Sequence, residues 1–109
     1  MSVPSSSSII VELIYPRNCA SIFAMAPLLT LWVNPAGNRY SFHWEHRAKR
    51  GMIHRCDNAP DFPSLGTAPK HFHNGSEFQV EESGLSDHLE TALREFLNFV
   101  RAKLAEFGA

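Results

Sequence analysis

The last quarter of the chain constrains everything that precedes it. Leu85, Leu89, Leu93, Phe96, Leu97, Val100, Leu104 and Phe107 recur at steps of three and four, which lines them along one face of a single helix. Ser86 is placed to cap its N-terminus, Asp87 and Glu90 suit its first turn, Arg101 and Lys103 lie towards its end, and Gly108 follows the last apolar residue. One amphipathic helix cannot bury its own stripe. The segments before it read as strands and turns, and strands followed by one helix give an α+β domain. The expected architecture is an antiparallel sheet of about five strands packed against one long C-terminal helix. A lone helix cannot cover both faces of such a sheet, so a homodimer is expected as well.

The strand pattern has clear punctuation. Residues 1–8 are small and polar and form an expected disordered leader, leaving 9–109 as a single α+β domain. Ile9 to Tyr15 reads as a strand that stops at Pro16-Arg17-Asn18. Ser21 to Val33 carries no charge, but it falls short of the roughly 20 residues that cross a bilayer, and no basic leader precedes it. It is expected to be core strand, in a cytoplasmic protein with no membrane partner whose two cysteines, Cys19 and Cys56, stay reduced. Leu28 to Val33 closes at the turn Asn34-Pro35-Ala36-Gly37-Asn38. Tyr40, Phe42, Trp44 and His46 then alternate with Ser41, His43, Glu45 and Arg47, the period of a half-buried strand. A turn at Ala48-Lys49-Arg50-Gly51 returns the chain as Met52 to Asp57, with Trp44 expected opposite Arg55. Asn58, Pro60, Pro63, Gly66 and Pro69 exclude a helix or central strand from the next stretch. Long irregular loops in compact domains are usually functional. Lys70 to Val80 resumes as a short or bulged strand.

The chemistry concentrates around that loop. A net charge of −1 excludes a broadly basic nucleic-acid coat protein, yet Arg47, Lys49, Arg50, Arg55 and Lys70 gather with histidines inside 43–73 while acids crowd 77–95. No Gly-rich phosphate loop, G-x-S-x-G, H-E-x-x-H or C-x-x-C occurs, which removes dinucleotide folds, P-loop NTPases, ordinary serine hydrolases and zincins. In His71-Phe72-His73 the two imidazoles of an extended segment share a face, about 6.5–7 Å apart. Two uses fit. The pair can act as general base and acid across a phosphodiester, without a cofactor, while Arg55 or Lys70 stabilises charge on phosphate. Alternatively His71 and His73 bind a divalent metal with Asp57 or Glu45 and a water. Asp57-Asn58 before Ala59-Pro60 suits an Asx-turn, and Arg55, on the same face as Asp57, can pair with it. His43, Glu45, Arg47 and His54 read most simply as a solvated face. The candidate set is therefore His71, His73 and Asp57 for catalysis or metal, with Arg55, Lys70 and Asn58 for substrate.

Residues 53–75 carry a more specific signal. Ile53-His54-Arg55-Cys56-Asp57-Asn58-Ala59-Pro60 and Thr67-Ala68-Pro69-Lys70-His71-Phe72-His73-Asn74-Gly75 resemble the TumE-type toxin family of bacterial and archaeal toxin–antitoxin modules. Its pattern is Arg-aromatic-Asp-Asn-Ala-Pro-His-His-Pro followed by Pro-His-His-x-His. Arg55, Asp57, Asn58, Ala59, Pro60, Pro63, Pro69, His71 and His73 match; Cys56 replaces the aromatic, Asp61-Phe62 the His pair, and Lys70 the first His of the second cluster. The resemblance implies a toxin neutralised by a helix-turn-helix antitoxin, and analogy with other small toxins adds RNA as the target. The residues themselves leave three classes open: an RNA-cleaving or RNA-binding protein, a metal-binding protein, and a non-enzymatic dimeric interaction domain.

Overall fold

The computed structural model of the protein describes residues 22–26 and 28–108. The expected leader, the strand expected at Ile9 to Tyr15 and Cys19 lie outside those residues. Among the described residues, six antiparallel strands form one sheet whose spatial order equals chain order: β1 (Ile22–Ala26), β2 (Leu29–Asn34), β3 (Arg39–His46), β4 (Met52–Asp57), β5 (His71–Gly75) and β6 (Val80–Glu82). A four-residue helical turn, α1 (Arg47–Arg50), joins β3 to β4, and α2 (Leu89–Glu106) ends the fold. The α+β arrangement is the expected one.

The strands differ in detail from the sequence reading. The described part of the uncharged run is two strands, β1 and β2, folded back on each other, with Ala26 opposite Leu29 and Leu28 at φ 72. Asn34-Pro35-Ala36-Gly37-Asn38 forms the expected turn: the Asn34 side chain accepts from Gly37 N–H, and Asn38 adopts the left-handed region that Asn tolerates. The segment 70–80 likewise contains two strands rather than one, turning after Gly75 at φ 97. The β3–β4 register places Trp44 opposite His54, not Arg55. Because α1 inserts a helical turn before Gly51, the connection is centred on Lys49 rather than between Lys49 and Arg50, and the resulting one-residue slip in register exchanges the faces of the whole strand. His54 and Cys56 consequently face α2, while Arg55 and Asp57 face the other side with His43.

Leu31, Val33, Tyr40, Phe42, Trp44 and Cys56 meet Leu89, Ala92, Leu93, Phe96, Leu97 and Val100 in one core. Phe42 stacks on Tyr40 and touches Phe96. Burial, with Asp57 nearby, pushes the Cys56 thiol up to about 12, so it packs as a small apolar group. The helix starts at Leu89 with His88 as its cap, two residues later than the expected cap at Ser86. The cause is upstream: Ser83 N–H donates to Thr67 Oγ1, and Lys70 Nζ holds the Leu85 carbonyl at 2.7 Å and Asp87 at 3.1 Å. That tether keeps 83–87 out of the helix, so Leu85 packs on the core from the linker and Asp87 leaves the first turn.

His46 and His54 are buried on the helix face, with His46 Nε2 2.8 Å from His54 Nδ1 and the His46 ring stacked 3.8 Å over Trp44. His54 is not part of a solvated face. Burial, reinforced by His46 and Lys103, pushes His54 down to about 4; His46 is lowered by burial and Arg50, with Glu45 opposing. An unfolded His titrates near 6.5, so between about pH 6.5 and 4 the folded state binds fewer protons. Stability present above pH 6.5 should thus be lost as pH falls through that window, by about 3 kcal/mol for His54. Urea midpoints compared at pH 7 and pH 5 should show this slope in the native chain and a flatter one in His54→Phe.

Candidate functional site

The face of the sheet away from α2 gathers the charged residues. Antiparallel register sets His43, Arg55 and His73 in one row across β3, β4 and β5, and Ser41, Asp57, His71 and Glu82 in the next. Residues in a row share a face. The loop 58–70 folds back so that the Phe62 ring meets a histidine of each row edge-on, His71 at 4.7 Å and His73 at 5.9 Å. Phe62 stands where the resembled pattern has a histidine. It leaves His71 only 1% and His73 5% exposed.

Both imidazoles are oriented by backbone carbonyls. His71 Nδ1 lies 3.1 Å from Pro69 O, and His73 Nδ1 lies 3.1 Å from Glu77 O. A carbonyl only accepts, so each Nδ1 carries hydrogen and each Nε2 is turned to the shared centre. There His71 Nε2 is 3.1 Å from Asp57 Oδ1, and the two rings are 5.0 Å apart. Asp57 Oδ1 also accepts from Ala59 N–H at 2.9 Å, the expected Asx-turn. One coordinating atom from each of Asp57, His71 and His73 falls within 4.8 Å of the others.

Arg55 is the cation of this centre. Its Nη1 donates to His43 Nδ1 and Glu77 Oε2, its Nη2 to His73 Nε2 and Glu77 Oε1, and its Nε lies 3.5 Å from Asp57 Oδ2. These contacts hold the Glu77 carboxyl below the usual range, and burial together with Arg55 lowers His73. His43 completes a chain outward: its Nε2 contacts Glu45, and Glu45, paired with Arg47 and touched by His43, is held down to about 2. His43 and Glu45 are therefore hydrogen-bonded, part-buried members of the cluster rather than a bare solvated face.

The six candidate residues divide. His71, His73, Asp57 and Arg55 converge. Lys70 does not, because its ammonium is bound to Leu85 O and Asp87. Asn58 is committed to the fold: its Oδ1 accepts from Tyr40 N–H and Arg39 Nε, and its Nδ2 donates to Asn38 O at 2.7 Å. The cationic group also splits, since Arg50 lies over Phe107 and Trp44 on the helix side. Sequence reading did not nominate Glu77, which reaches Arg55 only through the β5–β6 turn, or Phe62.

Residues 21–104 match the family model described as Toxin TumE. The chain belongs to the TumE toxin family. The match takes in every described strand and the clustered residues of the site. No curated protein and no solved structure matches the chain. Among the described residues of this TumE-family chain, no helix is long and apolar enough to cross a membrane.

Truncating Asn58 should act on folding. Asn58→Ala leaves the buried Tyr40 N–H without its side-chain acceptor and is expected to cost about 2 kcal/mol in urea unfolding. A residue that served only to contact substrate would leave that midpoint in place.

Proposed function

We propose that this chain is the toxin of a toxin–antitoxin pair and cleaves RNA in the cytoplasm without a metal. The observation that carries this reading is the opposed setting of two imidazoles over one point. His73 Nε2 is an acceptor whose protonation burial and Arg55 disfavour, which suits a general base. His71 has acceptors at both nitrogens, Pro69 O and Asp57 Oδ1, which suits a group that holds a proton to give away. One imidazole placed to accept a proton and one placed to donate are what acid–base catalysis requires. In the reaction, His73 takes the proton of a ribose 2′-hydroxyl as its oxygen attacks the adjacent phosphorus. His71 protonates the leaving 5′-oxygen, and Arg55 stabilises the charge on the phosphoryl oxygens. Asp57 orients His71. Family membership supports a neutralising partner, proposed as a helix-turn-helix antitoxin.

RNA cleavage by the purified chain should persist in EDTA and fall by roughly 10²–10⁴ in His71→Ala and in His73→Ala. Unchanged cleavage in both variants would overturn the assignment.

A second reading is favoured by one observation: Asp57, His71 and His73 offer a compact ligand set, and each histidine already donates its other nitrogen to a backbone carbonyl, the usual support of a metal-bound imidazole. Arg55 opposes it, since a permanent positive charge beside His73 Nε2 repels a metal cation. Elemental analysis of untagged protein separates the two readings; one divalent ion per chain, with activity lost in EDTA, favours the metal.

A further inference from the structure

The arrangement at Arg55 resembles a ligand complex whose ligand belongs to the chain. The two terminal nitrogens of the guanidinium each donate to one oxygen of the Glu77 carboxylate. This is the two-pronged geometry by which arginine holds a phosphate. The other hydrogen of each nitrogen goes to an imidazole, His43 on one side and His73 on the other. An oxyanion at the Glu77 carboxylate position is therefore held by one permanent cation, whose remaining hydrogens are anchored by two accepting imidazoles, and one of those rings belongs to the proposed catalytic pair.

We infer that the Arg55 fork, flanked by His43 and His73, is a phosphate site, and that Glu77 occupies it as a tethered competitor that an incoming phosphate group replaces. The inference rests on reading the cluster as a phosphate-handling site, but not on RNA being cleaved there.

Three features make the exchange feasible. The Glu77 side chain is 40% exposed, whereas that of Arg55 is 23% exposed, so the carboxylate can swing into water while the guanidinium stays in place. The turn does not have to unfold for this. Its backbone is held by Asn74 N–H on Gln79 O, Gln79 N–H on Ser76 O and the Glu77 carbonyl on His73 Nδ1. Rotation of the side chain alone clears the fork, and because the carbonyl remains, His73 keeps Nε2 directed at the site. The substrate preference follows from charge. Glu77 leaves only for a group that offers the same pair of oxygens with at least equal negative charge, and a phosphate does so while a neutral ligand does not. Phe78, next in the chain, is 95% exposed.

A site closed by its own side chain binds ligand more weakly by the fraction of time it is open. If Glu77 is seated about nine-tenths of the time, its removal tightens binding by about tenfold. The test is titration of the full chain with inorganic phosphate, followed through the imidazole signals of His43 and His73. Glu77→Gln keeps the shape of the side chain and removes its charge, and should bind phosphate about tenfold more tightly than the native chain; Arg55→Gln in the Glu77→Gln background should abolish that binding. Equal or weaker binding by Glu77→Gln overturns the inference. So does binding that survives Arg55→Gln, which would mark an adventitious ion only. The outcome is separable from RNA cleavage: tighter phosphate binding in a chain that cleaves no RNA supports the site and sinks the nuclease, whereas cleavage without tighter binding does the reverse.

Discussion

The guanidinium of Arg55 is the interaction on which the far face of the sheet depends. Its Nη1 and Nη2 serve His43, His73 and both oxygens of Glu77, and its Nε faces Asp57. The partners come from β3, β4, β5 and the β5–β6 turn, so one side chain ties together three strands and a connection. It also sets hydrogen positions at a distance. Since arginine only donates, His43 Nδ1 and His73 Nε2 must accept, which leaves their other nitrogens to donate to Glu45 and to the Glu77 carbonyl. Without this cation, Asp57 and Glu77 would lie close together in a partly dry setting with nothing to offset them.

The two faces of the sheet put the same residue type to opposite use. His46 and His54 sit among Trp44, Phe99 and Phe107, share a hydrogen bond with each other, and are kept neutral by lack of water. Their role is to fill the core. His71 and His73, one strand away and with side chains turned the other way, are equally buried but have carboxylate, guanidinium and carbonyl partners. Burial alone does not distinguish a packing histidine from one built into a polar cluster; the partners at its nitrogens do.

Much of this was legible in the residues. The three- and four-step stripe gave α2, the alternation at 40–47 gave β3, and the proline-rich loop and His-x-His spacing located the cluster. Lys70 was also within reach: it adjoins His71, and strand alternation sends neighbours to opposite sides. What escaped depends on connections. Placing Arg55 beside His43 requires the β3–β4 register, which hangs on a helical turn that Arg47-Ala48-Lys49-Arg50 does not announce. Glu77 reaches Arg55 across a turn whose geometry comes from Gly75 at φ 97. The late start of α2 comes from the Lys70 and Thr67 tethers, long-range contacts that local capping preference cannot foresee.

The order of the strands has a consequence for how such a protein comes into being. Every neighbour in the sheet is also the next strand in the chain, so each pairing closes a modest loop and no strand waits for a distant partner. Short-range topologies assemble quickly. His43, Arg55, Asp57, His71, His73 and Glu77 all precede α2, and the geometry of their cluster is drawn entirely from β3 to β6. During synthesis the charged face is thus fully encoded before α2 leaves the ribosome, and what α2 adds is the core that keeps it standing.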